Sequence, residues 1–304
     1  MEQILSTTLK HIEDIKTVFL EVPHDENLSL PSASALHLYH LNLRNKRFDT
    51  KPLRKWLYRN IGKYVFSRSE IQRYIDKDDR ELIVADALKQ LRDAHGIDLE
   101  NLEGELGNML IYALLEGMMN APKIVSRVEL ANDLDRYHSE TDGIHLFFSP
   151  EDASSQLIFA SSKIFDDLRD AIDQAFEAIQ RMDDHVDTEL DLVERETFSR
   201  IVDPAEAAAL KKAILPSPDS GVCASTSYGI FLGYTLGLDW HRHPKEDYAE
   251  LVHRKMAFDL HQHADYIAKK ILENGLDAHA FYIYTLPFDS ATSDARQIMN
   301  DILN

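Results

Sequence analysis

The chain has 304 residues, a formal net charge of −19 and a single cysteine, Cys223. One thiol excludes a disulfide framework or a multi-cysteine zinc site, and no apolar run approaches the roughly 20 residues that cross a bilayer. The opening MEQILSTTLKHIEDIK carries acids foreign to a secretory or transit leader, so a soluble cytoplasmic protein is expected. The acidity works against nucleic-acid binding, which draws its affinity from Lys and Arg on phosphates; such a role needs either basic residues clustered on one face or a partner that does the binding.

Along the chain, TVFLEV (Thr17–Val22) reads as a strand and ALHLYHLNL (Ala35–Leu43) as a second one. In the second, His37 and His40 point to opposite faces and make poor co-ligands. From Thr50 to His95 the pattern is helical, with Leu53, Trp56, Leu57 and Ile61 at helix spacing. Arg54, Lys55, Arg59 and Lys63 fall on the other sides, in the most basic segment of the chain, read as a solvated face or a contact surface. Ser67 and Glu70 have the spacing of a capping box opening a further helix, and ELIVADALKQLRDAHG ends another at Gly96. Residues 102–119 form a helix with Leu102, Leu106, Met109, Leu110 and Ala113 as its apolar stripe and Glu105 at the stripe's edge.

After Pro122, three strands are expected, at Lys123–Leu130, Gly143–Phe148 and Gln156–Phe165, separated by polar turns. An acidic helix follows over residues 166–196, then a short helix AEAAALKKAIL and a strand within GVCASTSYGIFLGYTLG. A long helix over residues 245–274, the strand AHAFYIYTLPF and the helix SDARQIMNDIL close the chain. The predicted class is α/β (α+β), a central mixed sheet flanked by helices. Residues 1–100 are read as a strand and helical extension and residues 101–304 as the principal domain.

The chemistry converges on Gly104–Phe165. Asp142 lies at the mouth of a strand, and Ser161 and Lys163, at i and i+2 of the next, share a face. The preceding helix can lay Glu105 over the same edge. Two carboxylates can bind a magnesium ion, which takes oxygen ligands and activates water on a phosphodiester; a lysine adds positive charge where negative charge develops. Elsewhere, the histidines of HRH (His241–His243) and HQH (His261–His263) are poorly placed to chelate, the latter because i and i+2 diverge on a helix. No phosphate-binding GxxxxGK[ST] loop and no GxSxG elbow is present.

The segments GELGNMLIYALLEGMMNAPKIVSRVEL, TDGIHLFF and SSKIFDDLRDAIDQAFEAI, in this order and spacing, resemble the HamA family, the effector subunit of Hachiman anti-phage defence. YGIFLGYTLG and HAFYIYTLPFDSATSDARQIMNDIL resemble its closing strands and terminal helix. The resemblance implies a restriction-endonuclease-like PD-(D/E)xK core over residues 101–304, cutting DNA with Mg²⁺ or Mn²⁺. It also implies a helicase subunit that restrains the effector and delivers DNA to it, with no membrane involved. By the same resemblance Glu105, Asp142, Ser161 and Lys163 hold the catalytic positions, with Glu105 and Asp142 on the metal.

Two positions depart from the pattern: Ser161 stands where the family has the glutamate of Glu-x-Lys, and Asn108 replaces the last glutamate of GELGE. A serine hydroxyl is a weaker magnesium ligand than a carboxylate; Glu140, Asp166 or Asp167 are candidates to compensate. The leading expectation is a metal-dependent DNA nuclease effector controlled by the helicase and impaired by Ser161 in place of a catalytic glutamate; the alternative is a catalytically silent adaptor of the helicase. A DNA-mimicking acidic protein is a third reading, disfavoured by a lysine set among the acids.

Overall fold

The computed structural model describes residues 5–9, 12–94, 102–131, 140–149, 154–186 and 224–304, with Thr188, Ala208 and Leu210 between the last two stretches. The region expected to hold AEAAALKKAIL lies almost wholly outside the described residues, as does the end of the acidic helix.

Seven strands make one sheet in the order β1 (Phe19–Glu21), β2 (Ser34–Leu41), β9 (Ala280–Phe288), β8 (Ser225–Thr235), β7 (Ser155–Ile164), β6 (Gly143–Phe148) and β5 (Lys123–Ser126). The central pairs β2–β9, β9–β8 and β8–β7 are parallel; β1 and the β7–β6–β5 meander are antiparallel. A small hairpin, β3 (Leu43–Arg44) with β4 (Arg47–Phe48), stands apart. The parallel strands are buried on both sides and read as near-continuous apolar runs, as in Tyr228–Tyr234 of β8. The result is a mixed α/β fold with a seven-stranded central sheet flanked by helices, consistent with a nuclease-like core.

The helices are α1 (Ile12–Val18), α2 (Thr50–Val65), α3 (Arg68–Asp76), α4 (Ile83–Ala94), α5 (Leu102–Gly117), α6 (Arg127–Ala131), α7 (Leu168–Asp184), α8 (Tyr248–Glu273) and α9 (Ala291–Leu303). The box at Ser67 forms, with the Ser67 N–H donating to Glu70 Oε2 at 2.8 Å and the Glu70 N–H to Ser67 Oγ at 3.2 Å. Helix α5 is buried on nearly every side: α2 and α9 pack against it, and it lies on β7 and β8. Glu105 is therefore a buried acid, only 7% exposed, rather than one at a solvated edge.

The expected strand Lys123–Leu130 is half strand and half helix. It pairs only as far as Ser126, and Arg127–Ala131 coil into α6. Ser126 caps that helix reciprocally: its N–H donates to Glu129 Oε2 at 2.8 Å, and the Glu129 N–H donates to Ser126 Oγ at 3.4 Å. The β-branched run favours a strand, but the S-x-x-E spacing ends it.

Candidate functional site

A cleft of about 480 Å³ opens at the end of the sheet where β6 and β7 part. Its position follows from Thr141, a fully buried residue ahead of β6. The Thr141 hydroxyl donates to the Gly143 carbonyl at 2.8 Å and accepts from the Ala160 N–H at 3.1 Å, while the Asp142 N–H donates to the Ala160 carbonyl at 2.9 Å. Asp142 is thereby pinned to the edge of β7. Its Oδ2 accepts from the Ser162 N–H at 2.6 Å and from Ser162 Oγ at 2.9 Å.

Asn108, from α5, completes this arrangement. With its amide nitrogen facing inward, it lies 2.8 Å from Ser162 Oγ, 3.2 Å from Asp142 Oδ1 and 3.1 Å from the Gly104 carbonyl, so donors meet acceptors throughout. Close approach of α5 to β7 makes this possible. A Cβ on Gly107 would stand 2.9 Å from Ser162 Oγ, so glycine is what lets the helix sit down on the strand.

Lys163, Arg127 and Glu140 line the same cleft. Burial pushes the Asp142 carboxyl above the usual carboxylate range; the charges of Lys163 and Arg127 and the Ser162 hydrogen bonds pull the other way. Glu140 pairs with Arg181 of α7 at 3.0 Å, in an exposed ion pair. Glu103, also on the wall, is bound by both Arg296 Nε at 2.8 Å and Nη2 at 2.9 Å, which lowers its pKa.

Of the four residues singled out from the sequence, Asp142 and Lys163 meet in the cleft; Glu105 and Ser161 stand behind its wall. The Glu105 carboxylate faces the Tyr64 hydroxyl of α2, a buried pair in which burial first and Glu105 second push the phenol pKa up. Ser161 is fully buried, and its hydroxyl has no hydrogen-bond partner among the described residues. Strand alternation turns Ser162 toward α5 and puts Ser161 and Lys163 on the other face of β7. Ser162, Thr141 and Tyr64 are not singled out by the sequence, and Asn108 only as a departure from GELGE. Strand alternation from Ser161 leaves Ser162 on the face turned to α5, a signal that could have found it; nothing local in sequence links Tyr64 to Glu105.

A Mg²⁺-type ion needs several oxygen ligands, usually including one or two carboxylates with room for water. Among the described residues no group of three His, Cys, Asp or Glu could hold a metal ion. Both Asp142 oxygens already face donors, the Ser162 N–H and hydroxyl on one and the Asn108 amide on the other. An N–H group presents hydrogen where a cation requires a lone pair, so Asp142, held this way, offers a metal little more than the lone pair left on Oδ1 and by itself fits a hydrolytic metal centre poorly.

The mixed seven-stranded sheet, with helices on its faces and α5 laid across β7, makes this an α/β protein whose core is consistent with a nuclease-like fold. More particularly, the HamA family model matches residues 16–302, and the chain belongs to the HamA family, a component of Hachiman anti-phage defence. No curated protein matches the chain. No helix among the described residues is long and apolar enough to cross a membrane.

Proposed function

We propose that this chain is the effector-position subunit of a Hachiman defence complex and that its cleft is catalytically silent, so that it acts as an adaptor to a helicase subunit. The observation that carries the proposal is the Asn108–Ser162–Asp142 network, in which neutral donors occupy the oxygens that a metal would need. Here Asp142 is a structural acceptor that ties β7 to α5, and Lys163 balances its charge at the cleft wall.

A second reading, a Mg²⁺-dependent DNA nuclease released by the helicase, draws support from Glu140. This acid shares the cleft with Asp142 and Lys163, and an exposed ion pair with Arg181 holds it weakly.

The deciding experiment combines the chain with its helicase subunit, Mg²⁺ or Mn²⁺, and linear, circular and single-stranded DNA. No cleavage is expected, and calorimetry should detect no Mn²⁺ binding to the chain at millimolar concentration. Cleavage abolished by Asp142→Asn or Lys163→Met would replace the adaptor reading with the nuclease one. Asn108→Glu combined with Ser161→Glu restores both acids, and the silent-cleft reading expects Mn²⁺ binding to be gained only there.

A further inference from the structure

The most basic part of the chain lies outside the cleft. Residues 44–63 hold eight Lys or Arg and one acid, Asp49, within a chain of net charge −19. The fold engages many of these cations: Arg47 pairs with Asp289, Arg54 with Asp301, Lys63 bonds Asn60, and Lys46 Nζ reaches the carbonyls of Trp240 and His243. Arg44 belongs to the β3–β4 hairpin. The other three, Lys51, Lys55 and Arg59, are exposed on α2, and among the described residues none of their side chains has a hydrogen-bond or ion-pair partner.

These three recur at every fourth residue, so they form one stripe with about 6 Å of axial rise between neighbours. Like charges at that spacing cost an isolated helix a little stability rather than adding any. Tyr58 projects beside them and is 47% exposed, although Trp56 and Tyr64 of the same helix are buried. The core takes two aromatics of α2 and leaves this one among the cations.

We propose that this face of α2 binds single-stranded nucleic acid, with Lys51, Lys55 and Arg59 on successive backbone phosphates and Tyr58 stacked on an unpaired base. Phosphate binding needs only the cations. An exposed aromatic beside them adds nothing to a duplex, whose bases are stacked inside, but offers a platform to a base that is not. The stripe also resolves the conflict between net charge and nucleic-acid binding. The acidic remainder repels a strand everywhere else, which confines it to this helix. None of the four residues lines the cleft, so the binding holds whether or not the cleft cuts.

The test is fluorescence anisotropy of a labelled oligo-dT, and of the same length of duplex, titrated with the full chain across a salt series. The unaltered chain binds oligo-dT. Its log–log salt slope falls in magnitude by about 2 in the triple variant Lys51→Glu, Lys55→Glu, Arg59→Glu, at roughly 0.7 for each phosphate no longer neutralised. Tyr58→Ala weakens oligo-dT binding about tenfold and leaves any duplex binding unchanged. Lys269→Glu, a charge reversal on the exposed face of α8, changes neither. All four side chains are exposed, and matching thermal melts verify that the variants fold. A triple variant that binds oligo-dT with unaltered affinity and salt slope overturns the proposal and leaves the stripe to an acidic protein surface. Absence of oligo-dT binding by the unaltered chain at low salt overturns it outright.

Discussion

Two regions of α5 and its neighbouring strands use the same side-chain types to opposite ends. At the C-terminal end of α5, Lys123 is 2% exposed, and its Nζ reaches Glu129 at 2.7 Å and the carbonyls of Tyr64 and Phe66 at 3.0 Å each. Glu116, fully buried, accepts from the Lys123 N–H at 2.7 Å, the Thr8 N–H at 2.8 Å, the Thr8 hydroxyl at 2.7 Å and the Leu9 N–H at 3.1 Å. Every charge there is matched by an opposite charge or several donors. At the other end, Asp142 meets Lys163 across an open cleft, and its direct bonds come from neutral groups. Burial of a charge is tolerated where it is fully paired, so the closed network reads as framework. The cleft differs: there neutral donors hold Asp142, and the nearest cation, Lys163, stands on an open wall.

The largest break in this contrast comes from the closed side. Lys123→Met leaves Glu129 buried without its cation and should cost about 3–5 kcal/mol, measured by urea unfolding. Next is His145, whose ring is buried and whose Nδ1–H donates to the Ala121 carbonyl at 2.8 Å. Burial lowers its pKa to about 4. A depressed folded pKa keeps its stabilisation above the unfolded value and loses it as pH falls. The chain should thus lose on the order of 3 kcal/mol between about pH 6.5 and 4 through this group. His145→Gln should remove that part of the acid sensitivity in unfolding curves taken across the window.

Thr141→Val tests the clamp that positions Asp142. It strips the hydroxyl that serves Gly143 and Ala160 and should cost about 1–3 kcal/mol, with NMR amide shifts spreading to Ser162. Asp142→Asn is the smallest and has the opposite sign with pH. Because burial raises the Asp142 pKa, its contribution is fully present below the unfolded carboxylate pKa and is lost as pH rises through the folded one. The asparagine variant should lose less stability than the unaltered chain as pH rises above the unfolded carboxylate value of about 4. A variant that instead declined more steeply across that range would show that the carboxylate's charge is needed where it stands.

Much of this was legible in the sequence. The apolar alternation of Gly143–Phe148, the run in Tyr228–Tyr234 and the helix pattern of Lys51–Val65 each encode their own element. Ser67 and Glu70 mark a helix start, and so do Ser126 and Glu129, where the β-branched residues of Lys123–Leu130 mask the same signal. The meeting of Asp142 with Lys163 was readable from strand direction. The Asn108 bridge and the facing of Glu105 by Tyr64 were not, because each depends on how closely two elements pack across long sequence separations. Burial of Glu105 is of the same kind: its own turn looks amphipathic, and only the packing of α2 and α9 removes it from water.

The sheet also constrains how the chain is made. Ser34 of β2 pairs with Phe281 of β9, 247 positions further on, so β2 has its parallel neighbour only after all of the intervening chain has been made. Until then β2 holds only β1, an antiparallel partner of three residues. Such non-local pairing is slow, and an unpaired apolar edge invites wrong partners in the meantime. Synthesis of β9 is therefore a checkpoint: β1 and β2 remain provisional until it arrives to lock them.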